Sequence, residues 1–241
     1  MREKTSDMKI IARIHNDFKE KFGIPRQSGI ADEFVSVIVF EPEYRVREAL
    51  RGIEGFSHLW LIWNFSKSER DAWSPTVRPP RLGGNKRMGV FATRSPFRPN
   101  PIGLSSVKLL SIKDTRDSGT VLLVSGADML DGTPIYDIKP YLAYTDSHPD
   151  ATSGFANDVM GHSLNVTIPE KLLNVIKDEK RKSVVTILEN DPRPSYIDDS
   201  ERIYTFDFAD YEISFKVDGR ELLVTDVKNL VSINKNICAQ R

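Results

Sequence analysis

The sequence contains a single cysteine, Cys238, among its 241 residues. One cysteine cannot form an internal disulfide, and it argues against a metal site built from cysteines. The chain also lacks any apolar run near the ~20 residues that a membrane-spanning helix needs. Its first residues include Glu3 and Asp7 and have no apolar stretch typical of a signal peptide. These absences predict a protein of the reducing cytoplasm that binds no metal and no membrane.

Acidic residues are absent from residues 72–113, although the whole chain has 34 acidic and 34 basic residues and a formal net charge of zero. The positive charge of this segment is therefore a local feature, which suits the binding of a phosphate or a carboxylate. Eight basic residues supply it: Arg78, Arg81, Lys86, Arg87, Arg94, Arg98, Lys108 and Lys113.

Six prolines divide the same segment. Because proline fixes φ and lacks a backbone donor, neither a helix nor a central strand can run through the proline-rich parts. We expect two stiff loops on either side of a short strand at 88–93. A single Arg-Pro cluster is as often a solvated surface turn, but two clusters one short strand apart favour an anion-binding site. The prolines are Pro75, Pro79, Pro80, Pro96, Pro99 and Pro101.

Short apolar runs separated by turn residues dominate the first part of the chain, and they predict strands at 8–14, 34–40, 57–65, 102–112, 120–126 and 135–139. A helix is predicted at 42–50, with Pro42 in its first turn. Many strands with few helices between them favour an antiparallel barrel or sandwich. No Gly-x-Gly-x-x-Gly follows a strand, so a Rossmann fold is disfavoured.

The pattern changes after a stretch of little periodicity at 143–162, which we interpret as a crossing loop or linker. Helices are predicted at 169–178 and 184–189, and strands at 203–208, 211–217 and 221–227. The second part is therefore expected to be α+β. Residues 191–218 carry eight acidic residues against three basic ones, which makes this part a poor phosphate-binding surface.

Three segments carry a specific resemblance. They are residues 79–85 (Pro-Pro-Arg-Leu-Gly-Gly-Asn), 94–103 (Arg-Ser-Pro-Phe-Arg-Pro-Asn-Pro-Ile-Gly) and 131–141 (Asp-Gly-Thr-Pro-Ile-Tyr-Asp-Ile-Lys-Pro-Tyr). With residues 22–27, 52–60 and 191–194, they resemble the TrmO (YaeB/TsaA-like) family of S-adenosylmethionine-dependent tRNA methyltransferases. The resemblance implies a mainly β fold, with a small β-barrel methyltransferase domain at 1–145, a linker at 146–162 and a smaller α+β domain at 163–241.

The resemblance also implies an activity and a site. Family members methylate N6 of N6-threonylcarbamoyladenosine at position 37 of tRNA and are homodimers, so we expect tRNA, through its anticodon loop, and a second copy of the chain as partners. The basic segment would contact RNA phosphates through Arg78, Arg81, Lys86, Arg87 and Arg94. The S-adenosylmethionine site would comprise Pro25, Arg26, Gln27, Ser66, Lys67, Arg98, Leu104, Leu130, Asp131, Gly132 and Thr133.

Asp137 and Tyr141 are the candidate catalytic residues. Asp137 shares a strand face with Lys139, so it either forms a solvated ion pair or faces the pocket and accepts a proton. Tyr141 is a candidate for stacking on a base. Residues 131–134 also form a good turn sequence. The aromatic residues of the strand at 57–65 are more typical of core than of a base-stacking platform.

Two other classes of function fit the residues alone. One is a β-barrel RNA-binding module without catalysis, and the other is a hydrolase or transferase that acts on an anionic small molecule at the arginine loops. Binding of S-adenosylmethionine separates the methyltransferase from both.

Overall fold

The computed structural model describes residues 8–29, 31–68, 72–79, 82, 86–159, 163–193 and 199–231. Within these ranges the chain forms a closed six-stranded barrel and a smaller unit in which a four-stranded sheet packs against helices. The predicted fold class, mainly β with an α+β second part, is confirmed.

The barrel and an attached ribbon use eight strands, which are β1 (Ala12–His15), β2 (Val35–Phe40), β3 (His58–Asn64), β4 (Thr76–Val77), β5 (Met88–Gly89), β6 (Ile102–Thr115), β7 (Gly119–Ser125) and β8 (Pro134–Pro140). Six of them pair in the order β1-β2-β7-β6-β3-β8, and β8 pairs with β1 to close the sheet. All these pairings are antiparallel. β4 and β5 pair with each other as a separate ribbon.

Alternating side chains explain the barrel strands. In β3, residues 59, 61 and 63 are buried while their neighbours are partly exposed, as expected for a strand with one face in the core. Apolar side chains of this kind fill the barrel interior, so it is a packed core and not a channel. The fully buried ones are Ala12, Ile14, Ile38, Leu59, Leu61, Leu122, Val124 and Ile135.

The helix predicted at 42–50 is wrong. The chain instead forms three short 3₁₀ turns, Pro42–Tyr44, Arg47–Leu50 and Ile53–Gly55, and none of them contains a buried residue. Val46 is extended, with φ −106° and ψ 112°, and it separates the first two turns. Its apolar side chains Tyr44, Leu50 and Ile53 are only partly buried against the barrel core, so little burial is available to stabilise a longer helix.

The second unit contains β9 (Asn165–Thr167), β10 (Tyr204–Phe208), β11 (Tyr211–Asp218) and β12 (Glu221–Asn229) in the order β10-β11-β12-β9. A short helix, α1 (Ala143–Asp146), precedes it in the predicted linker, and α2 (Glu170–Leu173) and α3 (Asp178–Glu189) lie within it. The predicted helix lengths are therefore wrong, since the first helix is one turn and the second starts earlier. Arg181 explains the break, because its Nε donates to the carbonyls of Leu173 and Ile176 between the two helices.

The core of the second unit includes residues from the connection between β1 and β2. Phe18, Ala31 and Phe34 are buried in the same cluster as the inward side chains of α3 and of β10 to β12. The ring centroid of Phe18 lies 5.0 Å from that of Phe34 and 5.4 Å from that of Phe208. Each buried ring contributes about 1.5–3 kcal/mol through the hydrophobic effect. The connection between two barrel strands therefore contributes side chains to the core of the second unit.

Candidate active site at one end of the barrel

Three long connections meet at one end of the barrel. Because neighbouring strands are antiparallel, the connections from β1 to β2 (16–34), from β3 to β6 (65–101) and from β7 to β8 (126–133) all leave the same end. We call this end, with these three connections, the loop end. It contains ten of the eleven residues predicted to bind the cofactor, and the eleventh, Leu104, is the third residue of β6.

Hydrogen bonds join the three connections to one another. The amide of Asp131 donates to the carbonyl of Phe18 at 2.8 Å, and the amide of Gly29 donates to the carbonyl of Gly126 at 2.9 Å. Lys21 Nζ donates to Ser68 Oγ at 3.0 Å and also to the carbonyl of Lys67. The three connections of the loop end are therefore held to one another by hydrogen bonds and form one continuous surface.

Arg26 connects the loop end to the second unit. Its Nη2 donates to the carbonyls of Asp191 and Arg193, at 3.3 and 2.6 Å. Asp191 in turn accepts two hydrogen bonds from the guanidinium of Arg193, at 2.9 and 3.1 Å. Arg26 therefore ties the 16–34 connection to the turn that follows α3, through Asp191 and Arg193 of the segment that contributed to the resemblance.

Two arginines of the basic segment are held by specific contacts, and one of them contacts another predicted site residue. Arg94 Nη1 donates to Gln27 Oε1, so an arginine predicted to bind RNA contacts a residue predicted to bind the cofactor. Arg98 Nη1 donates to the carbonyl of Thr93 at 3.0 Å, and its guanidinium carbon lies 6.0 Å from the centre of the Phe91 ring. These contacts fix where the two positive charges lie.

Asp131 is ionised and held from three sides. Its carboxylate accepts from Lys19 Nζ at 2.7 Å and from the Asn16 amide at 3.2 Å, and it lies 3.1 Å from His15 Nδ1. Burial opposes the charge, but the hydrogen bonds from Lys19 and Asn16 outweigh it and lower the pKa of Asp131. Gly132 follows with φ of 76°, as the predicted turn requires.

Asp128 is a site residue that the sequence analysis missed. Its carboxylate accepts a hydrogen bond from Ser105 Oγ, which accepts one from Trp63 Nε1 at 2.9 Å. Burial raises the pKa of Asp128, although the hydrogen bond from Ser105 and the charge of Arg94 oppose this rise. Ser105 follows the predicted cofactor residue Leu104 in sequence, so Asp128 lies directly behind the predicted site.

A glycine in β6 makes the hydrogen-bonded chain to Asp128 possible. A Cβ atom on Gly103 would lie 2.2 Å from Cε2 of Trp63, so only glycine lets the indole lie across β6. Ser105 and Trp63 come from different strands, and their polar atoms meet only in the folded barrel. The sequence signal available was modest, an acid flanked by two buried apolar residues, Ala127 and Met129.

Asp137 lies on the outer wall of the barrel, close to the loop end. It is opposite Ile62 of β3, which is itself opposite Leu104 of β6. Neighbouring strands are ~4.8 Å apart, so the backbones at Leu104 and Asp137 are separated by ~10 Å. Lys139 Nζ contacts the carboxylate of Asp137 at 2.9 Å, which confirms the shared strand face.

Tyr141 does not join the loop end. Its amide donates to the carbonyl of His58, at the opposite end of β3, and its ring centroid lies 5.4 Å from that of Trp60. Eight residues of strand separate it from Thr133, which corresponds to ~26 Å. Tyr141 therefore lies far from the predicted cofactor residues of the same chain, and its proposed role in stacking on a base stays a prediction.

The predicted RNA-binding residues Arg78, Lys86, Arg87 and Arg94 all belong to the 65–101 connection at the loop end, whereas Arg81 lies outside the described residues.

Across the described ranges no group of three or more His, Cys, Asp or Glu side chains is arranged to bind a metal. Among those same residues, no helix has the length and apolar character needed to cross a bilayer.

Comparisons with known proteins cover both parts of the chain. A family model described as the tRNA-methyltransferase O N-terminal domain matches residues 13–147, and the TrmO C-terminal domain matches residues 162–230. The tRNA (adenine(37)-N6)-methyltransferase of Escherichia coli is 41% identical over 218 residues, which cover 86% of this chain and 91% of that protein.

Two further matches come from Pseudomonas aeruginosa. A putative S-adenosylmethionine-dependent methyltransferase, RcsF, is 40% identical over 199 residues, covering 80% of this chain and 84% of that protein. A crystal structure of TrmO superposes with a TM-score of 0.75 at 31% sequence identity, and covers 93% of this chain and 97% of the crystallised one.

Proposed function

The chain belongs to the TrmO family of tRNA methyltransferases, and on that basis we propose that it methylates N6 of N6-threonylcarbamoyladenosine at position 37 of tRNA. The enzyme is an S-adenosylmethionine-dependent tRNA methyltransferase. The proposal includes three finer points: the acceptor base carries the threonylcarbamoyl group, the site consists of the predicted residues, and the protein is a homodimer. The observation that carries it is the meeting of three predicted cofactor segments at the loop end.

The side chains at the loop end fit S-adenosylmethionine. When bound, the cofactor supplies a methyl group on a positively charged sulfur. Arg98 and Arg94 offer guanidinium groups to its carboxylate, and Leu104, with 57% of its surface exposed, offers an apolar wall to its adenine. The Asp131 carboxylate already binds Lys19, so its role is to fix residues 130–133 beside the cofactor. Methyl transfer then requires alignment and exclusion of water by these residues.

The N6 atom loses a proton when it gains the methyl group, so a proton acceptor is needed. We propose Asp137 for this role, because it shares the outer wall with Leu104 and its carboxylate, although paired with Lys139, is half exposed and accessible to the acceptor base. Asp128 is the competing carboxylate, since burial raises its pKa toward the range that favours a general base.

A comparison of tRNA substrates tests the proposal. The purified protein and S-adenosylmethionine are incubated with tRNA that carries the threonylcarbamoyl group and with the same tRNA lacking it, and nucleosides are analysed by mass spectrometry. We expect one added methyl group on the modified adenosine and none on the unmodified tRNA. Methylation of the unmodified adenosine would contradict the proposed acceptor, while absence of methyl transfer to both would contradict the activity.

Replacing Asp128 with asparagine is expected to leave stability unchanged or to raise it at neutral pH. The folded-state pKa of Asp128 is raised by burial, so ionisation costs stability as the pH rises above the unfolded-state pKa. The melting-temperature difference between the Asp128→Asn variant and the parent should therefore grow with pH and vanish in acid. A variant destabilised equally at every pH would show that the carboxylate serves only as a hydrogen-bond acceptor.

Activity of the two asparagine variants separates the candidate bases. Asp137→Asn should lower the single-turnover rate of methyl transfer by about 100-fold or more if Asp137 accepts the proton. The loss should be smaller in Asp128→Asn. A larger loss of rate in Asp128→Asn than in Asp137→Asn would identify Asp128 as the proton acceptor.

RNA affinity is expected to fall steeply with salt. The slope of log K against log salt should be about −0.7 per phosphate neutralised on single-stranded RNA. Replacing Lys86 and Arg87 with alanine should reduce that slope, because both are exposed cations of the 65–101 connection. Lys9 and Lys139, which are paired with Glu43 and Asp137, provide a control pair whose replacement should leave it unchanged. An unchanged slope in the variant without Lys86 and Arg87 would show that RNA binds to another surface of the protein.

Three other expectations remain predictions: the homodimer, the cytoplasmic location and the division into residues 1–145, 146–162 and 163–241. Sedimentation of the purified chain checks the first of them, with a mass of twice 27.3 kDa expected.

A further inference from the structure

Two aromatic side chains at the loop end are stacked on each other and exposed to solvent. Trp73 and Phe91 have ring centroids 6.2 Å apart and planes inclined by 28°, and 51% and 73% of their surfaces are accessible. Aromatic side chains of this size normally bury most of their area, so an exposed stacked pair indicates a binding surface. Neither residue belongs to the predicted cofactor or RNA sets.

The β4–β5 ribbon brings the two rings together. Thr76 pairs with Gly89 and Val77 with Met88, and the amide of Val90 donates to the carbonyl of Pro75 at 3.0 Å. Trp73 precedes this ribbon and Phe91 follows it, so their rings meet at its open end. The pair is therefore fixed by backbone hydrogen bonds, which limits the entropy lost when a ligand binds.

One arginine lies against the pair and another lies in the ribbon that carries it. The guanidinium of Arg98 lies 6.0 Å from the centre of the Phe91 ring, and Arg87 Nη1 donates to Thr76 Oγ1 at 3.0 Å within the ribbon. The sequence from 72 to 113 contains no acidic residue. Exposed rings interleaved with cations are suited to a ligand that combines flat aromatic faces with negative charge, which describes unpaired nucleotides.

We propose that Trp73 and Phe91 form a stacking platform for an unpaired base of the RNA substrate. The proposal rests on the proposed function, and it places the platform next to the cofactor site because Arg98 contacts Phe91 and belongs to the predicted cofactor set. A base beside the modified adenosine would stack on the exposed rings while its phosphate lies against the neighbouring arginines. The platform therefore helps to unstack the anticodon loop and to present the target base.

Single alanine variants of Trp73 and Phe91 test the platform with an anticodon stem-loop RNA as the probe. Each variant should weaken RNA binding by about five- to a hundredfold, the range measured for loss of one stacked base. Trp73→Phe should retain most of the affinity. Because no charge is removed, the slope of log K against log salt should stay the same, unlike in the Lys86 and Arg87 variant. Affinity for S-adenosylmethionine should also stay the same in Trp73→Ala, whereas Phe91→Ala is not used for this measurement because its ring lies 6.0 Å from the guanidinium of Arg98.

Tyr144 provides the matched control, since it is an aromatic residue with 87% of its surface exposed in α1, which follows β8 at the opposite end of the barrel. Tyr144→Ala should bind the RNA as the parent does. Unchanged RNA affinity in folded Trp73→Ala and Phe91→Ala variants would overturn the platform, while the parent's methyl transfer would still support the proposed function. A change in sedimentation from dimer to monomer in either variant would also overturn it and identify the pair as a contact between two copies.

Discussion

A Phe18→Ala variant is expected to lose about 3–5 kcal/mol of stability, the range for removing a buried phenylalanine ring. For a chain of this size, that loss corresponds to a fall in melting temperature of roughly 6–20 °C. Phe18 is 1% exposed and packs against Phe34 and Phe208, so no rearrangement of surface side chains can fill the space. Thermal unfolding followed by circular dichroism measures the change.

The same variant should bind S-adenosylmethionine more weakly, although Phe18 is not a predicted cofactor contact. Phe18 holds the 16–34 connection, which carries Arg26 and Gln27, against the core of the second unit. Loosening this contact leaves the connection with fewer constraints, and part of the binding energy is then spent on ordering it. We expect the dissociation constant, measured by calorimetry below the melting transition, to rise by about tenfold.

Phe91→Ala is the control for the loss of stability, because it removes the same ring from an exposed position and should change the melting temperature little. If Phe18→Ala lowers stability but leaves cofactor affinity unchanged, the barrel alone fixes the cofactor loop. The backbone hydrogen bonds from Gly29 to Gly126 and from Asp131 to Phe18 would then be sufficient.

Local patterns predicted the barrel strands well because each is a short apolar run between turn or polar residues. β3 illustrates this, since residues 59–63 are all apolar and the run is too short for most helices, although only every second side chain is buried. The helix predicted at 42–50 failed because proline and charged residues at its start satisfy a local rule, while its apolar residues Tyr44 and Leu50 are only partly buried and stabilise no more than one turn.

The shared core could not be predicted from the sequence. Phe18 and Phe34 lie in a connection without periodicity, and their partner Phe208 is more than 170 residues away. Asp128 was missed for a similar reason, since its partners Ser105 and Trp63 come from two other strands. Contacts between distant segments depend on topology, which single-sequence patterns constrain weakly.

The predicted cofactor segments come from family resemblance, and the topology explains how segments far apart in sequence can form one site. Residues 25–27, 98 and 130–133 lie in three different connections, which an antiparallel barrel gathers at one end. Tyr141 has a matching motif as well, yet β8 carries it away from that end. The motif alone does not separate its residues, whereas the strand direction places Thr133 at the loop end and Tyr141 at the opposite end of the barrel.

Arg98→Lys is expected to weaken S-adenosylmethionine binding by about ten- to a hundredfold while the protein remains folded. Lysine keeps the positive charge but cannot present two parallel N–H groups to a carboxylate. A hydrogen bond to a charged group contributes roughly 1.5–3 kcal/mol, which sets the size of the effect. The substitution also removes the hydrogen bond from Nη1 to the carbonyl of Thr93, so the remaining charge is less well placed.

RNA affinity should change far less than cofactor affinity in the Arg98→Lys variant, because the charge is retained and Arg98 is one of several cations at the loop end. Arg87→Lys is the matched control: it makes the same chemical change within the basic segment, at a residue that contacts Thr76 and not the predicted cofactor residues. It should leave the dissociation constant for S-adenosylmethionine unchanged. Cofactor binding that survives in Arg98→Lys, together with weakened RNA binding, would assign Arg98 to the nucleic-acid surface, and the carboxylate of the cofactor would then require Arg94.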